Sequence, residues 1–247
     1  VTSVEPELSL ILPCYNEEHC LPETVPPLAA AFITAGVTLE LVLVDNGSTD
    51  ATGRVINDLI ASGLPIRKVT VPINRGQGLG IRSGLEQGQG RILGYICADG
   101  QIAPADVVQV FLAARAATQP TLTKALRANR DDGWQRQFTS QGFNHLMRFL
   151  FPSIQSRDVN GNPKFLPRNI VRQMQLVSDD WFLEAEIVLK ATYLGLPVHE
   201  IAVPGLPRNS GTSHVRWSAV AEFFGNIVRY RLGGAWRDWK RTQTRQR

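Results

Sequence analysis

Three short polar clusters in this chain stand where apolar runs stop. Tyr15-Asn16-Glu17 follows Leu8–Pro13, Asp45-Asn46-Gly47-Ser48-Thr49-Asp50 follows Leu39–Val44, and Asp99-Gly100-Gln101 follows Arg91–Ala98. Side chains of these types accept hydrogen bonds from a ligand, hold a hard cation, or cap a helix. For the second cluster two accounts stand side by side. Ser48 to Asp50 are turn and cap residues for local reasons alone, whereas Asp45 lies just beyond a buried run, where open α/β sheets bind ligands. A fourth segment, Asn74-Arg75-Gly76-Gln77-Gly78-Leu79-Gly80, looks like a dinucleotide loop with Asp99 downstream. Its glycines depart from the G-x-G-x-x-G pattern and follow the third strand rather than the first, which argues against a Rossmann dehydrogenase. A phosphate-lining loop at a helix start remains open, because free backbone N–H groups there favour anions.

Elements must bring these clusters together, and the first half of the chain alternates regularly. Apolar runs at Leu8–Pro13, Leu39–Val44, Pro65–Val71 and Arg91–Ala98 predict strands. The intervening stretches Pro22–Ala35, Ala51–Ser62, Leu79–Gln87 and Ala105–Ala117 predict helices. Such alternation implies βαβ units, a parallel sheet and convergence of the strand ends on one crevice. The rhythm then breaks. Lys124–Arg136 is rich in charge without clear periodicity, Phe138–Phe151 reads as helical, and Arg157–Lys164 reads as a polar insertion. Trp181–Leu194 predicts an amphipathic helix stopped at Gly195, and Val198–Val203 a last strand. No repeat or low-complexity linker divides the 247 residues, which predicts one domain with a core of ample size.

Composition narrows the classes. With 43% hydrophobic and 19% charged residues the chain reads as globular. No apolar run approaches membrane-spanning length, and Glu5 and Glu7 near the start do not read as a signal peptide. Cys14, Cys20 and Cys97 show neither metal-finger spacing nor an even count, which fits a reducing, cytoplasmic setting. The net charge of +4 is uneven. From Ile227 onward Arg229, Arg231, Arg237, Lys240, Arg241, Arg245 and Arg247 face only Asp238, interleaved with Tyr230, Trp236 and Trp239. That end is either a surface for an anionic membrane or a solvated tail. The high pI alone suggests nucleic acid, but no nucleic-acid motif accompanies it.

Taken in order, Leu10-Ile11-Leu12-Pro13-Cys14-Tyr15-Asn16-Glu17-Glu18, Val44 to Thr52, and Asn74-Arg75-Gly76-Gln77-Gly78 resemble family 2 glycosyltransferases, nearest the polyprenyl-phosphate (dolichyl-phosphate mannose synthase-like) branch. Trp181-Phe182-Leu183-Glu184-Ala185-Glu186 and Arg208 to His214 match it in the same order, so the resemblance spans about residues 8 to 215. It implies a GT-A fold, an α/β architecture with a Rossmann-like, mostly parallel sheet flanked by helices. It also implies a nucleotide-sugar donor and inverting transfer. Pro13, Tyr15 and Glu17 would border the nucleoside, Asp45 would hold its base, and Gly76 and Gln77 would line the nucleotide. Asp99 falls on the second acid of the family's Asp-x-Asp motif, which would bind Mg²⁺ or Mn²⁺ with help from Gln101. Here the chain departs from the pattern, because Cys97 stands at the first acid and a thiol is a poor ligand for Mg²⁺.

In the second half, Glu184 and Glu186 stand two apart on a helix and cannot share one face. One is expected to face the acceptor, the other to brace the fold. A hydroxyl acceptor needs a general base, while a phosphate acceptor is already anionic. Arg208 joins the expected catalytic set, and Arg127, Arg130 and His214 are expected to bind diphosphate or acceptor phosphate. Asp158 reads equally as a loop anchor or a site residue. The expected partners are a nucleotide-sugar and a polyprenyl phosphate, or a soluble or other glycan acceptor, with the chain cytoplasmic, peripheral on the cytoplasmic membrane face or held by a membrane partner, and no nucleic acid. The competing class is a non-catalytic nucleotide-sugar or lipid-binding module with a degenerate metal motif.

Overall fold

The computed structural model describes residues 5–128, 147–205, 230 and 234–246. Its first half follows the expected alternation: β1 Leu8–Cys14, α1 Leu21–Thr34, β2 Leu39–Asn46, α2 Thr52–Ala61, β3 Ile66–Val71, α3 Gln77–Gln87, β4 Ile92–Tyr95 and α4 Pro104–Arg115. Then come β5 Leu122–Ala128, β6 Lys164–Pro167, α5 Arg168–Met174, α6 Leu183–Tyr193, β7 Val198–Pro204 and α7 Gly234–Gln246. The strands form one seven-stranded sheet in the order β3-β2-β1-β4-β6-β5-β7. Only β6 runs against its neighbours, so the sheet is mostly parallel.

The apolar runs of β1 and β2 are continuous because both faces are covered. Leu8, Leu10 and Leu12 pack with Leu21, Val25 and Phe32 of α1 and Phe111 of α4. Ile11, Val42 and Val44 face the other way, into a core with Ile81 and Leu85 of α3 and Leu183 and Ile187 of α6. The molecule is therefore a helix–sheet–helix sandwich of the α/β class.

The differences from expectation lie mainly in the second half. The fourth strand ends at Tyr95 instead of Ala98, because its pairing with β1 stops at Ile11–Tyr95 and the chain then leaves the sheet toward Cys97 and Asp99. The segment beginning at Lys124 includes the greater part of β5, and the polar insertion delivers Lys164 as the first residue of β6. Residues 147–150 are helical, whereas 138–146 of the expected helix lie outside the described residues. The basic end forms α7, whose aromatic side chains turn inward. Trp239 is buried, its indole N–H donates to the Gln173 carbonyl at 3.1 Å, and it stacks on Trp236 with centroids 5.2 Å apart. Lys190 lies over the Trp239 ring at 5.0 Å, while Arg237 and Arg241 stay exposed. Among the described residues no helix is long and apolar enough to cross a membrane.

Far from the strand ends that carry the polar clusters, Glu40 ties the sheet together. It accepts from Ser9 Oγ at 2.5 Å, Arg67 Nε at 2.7 Å and the Gln89 amide at 3.0 Å. Burial pushes its carboxyl pKa up, but the Ser9, Gln89 and Arg67 contacts outweigh that and hold it below the ordinary value. A depressed carboxyl pKa stabilises the fold above the unfolded-state value and loses that contribution as the pH falls through the folded one. Glu40→Ala is expected to lower unfolding stability by about 2 kcal/mol at pH 7, the scale of a charged hydrogen-bond set. In denaturant titrations the difference from the parent should shrink as the pH falls below about 4.5.

Candidate functional site

The loops after β1 and β2 are stitched into one surface. The Asn16 amide donates to Ser48 Oγ at 3.2 Å, and Asn16 Oδ1 accepts the Thr49 amide at 2.8 Å. The Glu17 amide donates to Thr52 Oγ1 at 2.8 Å, and Glu18 Oε2 accepts the Ala51 amide at 2.8 Å. Asp50 accepts the Thr52 amide at 2.9 Å and the Glu18 amide at 3.3 Å. Burial raises the Asp50 pKa, but the hydrogen bonds from Thr52 and Glu18 prevail and hold it below the usual range. Ser48 and Asp50 thus have local work in the turn. Asp45 shares it, since its Oδ1 accepts the Ser48 amide at 3.1 Å. Its Oδ2 presses on the start of α2, where a β-carbon on Gly53 would come within 2.7 Å. The neighbouring Cys14 thiol is pushed far up, by burial first and then by Glu17 and Asp45, so both carboxylates face this corner and the thiol stays protonated.

The glycine-rich segment contributes close approach. A side chain on Gly84 would meet Ile11 at 2.4 Å and Val44 at 2.9 Å, so α3 lies directly on β1 and β2. At its N-terminus, a β-carbon on Gly78 would strike the Asp180 carbonyl at 2.4 Å, and Gly76 has φ +132°, a value that favours glycine. The Leu79 amide donates to the Asp179 carbonyl at 2.8 Å, so the 179–180 loop already serves one of the free donors of α3. Arg82 clamps the Asp179 carboxylate at 2.5 Å. Buried Asn46 donates to the Gly76 carbonyl at 2.9 Å, and its Oδ1 has no hydrogen-bond partner among the described residues.

Cys97, Asp99 and Gln101 stand beyond β4. Cys97 Sγ accepts from Gln77 Nε2 at 3.2 Å and Asn162 Nδ2 at 3.7 Å, which joins α3, β4 and the loop before β6. Asp99 Oδ1 accepts the Gln101 amide at 3.2 Å. Among the described residues no three His, Cys, Asp or Glu side chains converge as a metal cage. One carboxylate does fit a hard cation that takes its remaining ligands from substrate phosphates and water. The thiol, turned to two amide donors, does not belong to that set.

The two glutamates of α6 have separate tasks. Glu184 accepts the Tyr95 hydroxyl at 2.5 Å and pairs with Lys164, whose ammonium lies 5.4 Å from the Tyr95 ring centroid. Burial first, then Glu184, pushes the Tyr95 hydroxyl pKa well up. Glu186 is fully buried, accepts the Val177 and Ser178 amides at 3.1 and 2.9 Å, and pairs with Lys190 at 2.7 Å. It braces the 175–180 loop that meets α3.

Lys164 belongs to a row that the sequence did not reveal. Strand register aligns Tyr95 with Lys164, Lys164 with Lys124, and Lys124 with Glu200 across four adjacent strands. Asp179 was also missed, and in the sequence Asn162 reads only as part of the polar insertion Arg157–Lys164, expected to shape the acceptor side. The polar Asn160-Gly161-Asn162-Pro163 turn and the lysine inside an apolar strand were the available signals. Of the expected residues, Pro13, Tyr15, Glu17, Asp45, Asp99 and Gln101 lie at or beyond the carboxyl ends of β1, β2 and β4, and Gly76 and Gln77 at the start of α3. Arg127 is in β5, but its side chain lies outside the described residues, as do Arg130, Arg208 and His214.

The comparisons agree with this architecture. The chain is 30% identical over 70% of its length to dodecaprenyl-phosphate galacturonate synthase of Rhizobium johnstonii, covering 51% of that protein. It is 29% identical over 94% of its length to dolichyl-phosphate beta-glucosyltransferase of Drosophila melanogaster, covering 77% of it. The chain therefore spans about half the length of the first of these relatives. Glucosyl-3-phosphoglycerate synthase of Mycobacterium tuberculosis, solved with Mn²⁺, UDP-glucose and phosphoglyceric acid, superposes with a TM-score of 0.70 at 20% identity, over 90% of this chain and 79% of that one. That likeness shows the GT-A fold. Residues 9–175 match the model of Glycosyl transferase family 2, and the chain belongs to that family.

Proposed function

We propose that this chain transfers a sugar from a nucleotide-sugar to a polyprenyl phosphate, with inversion at the anomeric carbon. The observation that carries this is the gathering of Asp45, Gln77, Cys97 and Asp99 around the ends of β1, β2 and β4, where an α/β sheet takes its ligand. Relatives named as transferases or synthases acting on dodecaprenyl and dolichyl phosphates support the acceptor class. In the proposed step an acceptor phosphate oxygen forms a bond to the anomeric carbon as the bond to the nucleoside diphosphate breaks. The electron pair of that bond leaves with the diphosphate.

The chain's own residues have these roles. Asp45 accepts from the base, and Tyr15, Glu17 and Pro13 border the nucleoside. Gln77, next to Gly76 at the start of α3, lies beside the phosphates. Asp99, with Gln101, would hold Mg²⁺ or Mn²⁺ against the diphosphate. Such a cation, when bound, neutralises charge on the leaving group. A phosphate acceptor needs no base, which agrees with the two glutamates of α6. Glu184 is engaged by Lys164 and Tyr95, and Glu186 by Lys190 and two backbone amides. Arg127, Arg130, Arg208 and His214 are assigned to the acceptor and diphosphate charges. The exposed basic face of α7, at Arg237 and Arg241, suits a cytoplasmic membrane surface where a lipid acceptor lies. A soluble acceptor is the second reading, favoured by the superposition with glucosyl-3-phosphoglycerate synthase.

The deciding experiment incubates the protein with UDP-, GDP- and dTDP-sugars, Mn²⁺ and detergent-dispersed undecaprenyl phosphate, with products followed by mass spectrometry. A lipid-linked monosaccharide is expected. Transfer only to 3-phosphoglycerate would move the acceptor to the soluble class, and nucleotide binding without any transfer would favour a binding module. Replacing the thiol by a second carboxylate, Cys97→Asp, should lower the Mn²⁺ concentration for half-maximal nucleotide binding by about tenfold. An unchanged Mn²⁺ requirement would remove Asp99 from the metal site.

A further inference from the structure

Glu200 and Lys124 lie at the far end of the buried row, next to Lys164. Lys124 has no exposed side-chain surface, and Glu200 retains 11%. A charge buried in this way is tolerated only when paired and hydrogen-bonded. Lys124 Nζ meets Glu200 Oε1 at 3.4 Å, and also donates to the carbonyls of Asp158 and Ala125. The same Glu200 oxygen accepts Ser156 Oγ at 2.7 Å, the Arg157 amide at 2.9 Å and the Asp158 amide at 3.4 Å. One carboxylate oxygen and one ammonium therefore hold the beginning of the 156–162 loop. Gly161 closes onto the same ammonium, since a β-carbon there would lie 2.9 Å from Lys124 Nζ and 3.0 Å from Asp158 Oδ2. The next residue, Asn162, donates to Cys97 Sγ at the donor edge.

We propose that Lys124 and Glu200 form a buried ion-pair latch on the 156–162 loop, which positions Asn162 beside the Cys97–Asp99 edge. They are positioning residues that act through the loop. Among the described residues, four charged groups face Lys124: Lys164 from β6, Glu184 from α6, Asp158 from the loop and Glu200 from β7. Burial, followed by Lys164, outweighs the three carboxylates and pushes the Lys124 ammonium down to about 8. Below that pH Lys124 is charged, and above it neutral. Opening the loop would return water to the ammonium and raise its pKa, so deprotonation does not by itself release the loop, which is held by the ion pair and its hydrogen bonds. An unfolded lysine keeps its proton to about pH 10.4. Between the two values the unfolded state binds more protons, so Lys124's own contribution to stability rises with pH.

Hydrogen exchange on the full chain tests the latch without any substrate. In Lys124→Met and Glu200→Gln at pH 7, protection of the Arg157, Asp158 and Gly161 amides is expected to fall about tenfold or more, while β1 and β2 amides stay protected. Loop protection equal to the parent's in both variants, or that falls only together with β1 and β2, would overturn the proposal. The link to catalysis rests on the transfer proposed above. In that assay Lys124→Met should lower kcat about tenfold or more and leave the donor KM within about twofold, because a displaced group costs rate more than binding. A change confined to KM would overturn the positioning role. Absence of transfer by the parent would count against the proposed function alone, with exchange still deciding the latch.

Discussion

Charge at the centre of a sheet covered on both faces must be paired, and much of the second half of this molecule follows from that requirement. Lys124 and Lys164 are neighbours across β5 and β6 with no exposed side-chain surface. Each needs a carboxylate from another element. Glu184 descends from α6 to Lys164, and Glu200 comes from β7 to Lys124. The first turn of α6 is thereby placed against the end of β4, and the 156–162 loop is drawn over the sheet. Glu186 extends the same logic, because pairing with Lys190 lets it accept the Val177 and Ser178 amides. The braced 175–180 loop then meets the glycines of α3.

On the other half of the sheet, close packing replaces charge pairing. Gly84 seats α3 on Ile11 and Val44, and Gly76 and Gly78 admit the backbone of Asp179 and Asp180. The N-terminus of α3 is thus fixed between the ends of β1 and β2 and a loop from the second half. Gln77 projects from that turn to Cys97. The edge where Asp45, Gln77, Cys97 and Asp99 gather is a joint product of glycine packing on one side and paired charges on the other.

How much of this was legible in the sequence follows from the same physics. The strands of the first half were legible because β1 and β2 are buried on both faces and so read as unbroken apolar runs. Their polar ends were legible because the change from apolar to polar is abrupt at Pro13, Val44 and Ala98. The strand β5 was not, since its Lys124 pays for burial with partners that are distant in sequence. Nor was β6, whose four residues are too short for a period to register. The division between Glu184 and Glu186 could be posed from helical spacing but not resolved, because the partners are a tyrosine and a lysine in one case and loop amides in the other. The glycines were legible as special, but not that they admit the 179–180 loop, which lies about a hundred residues away in sequence.

The central claim is that this edge holds a nucleoside diphosphate through Asp45. Calorimetric titration of UDP, GDP and dTDP into the protein with Mn²⁺ measures it most directly. One of the three is expected to bind saturably, with affinity reduced about tenfold or more by Asp45→Ala, the cost of removing a charged acceptor from a ligand N–H. No binding by any of the three, or equal affinity in the Asp45→Ala variant, would contradict it.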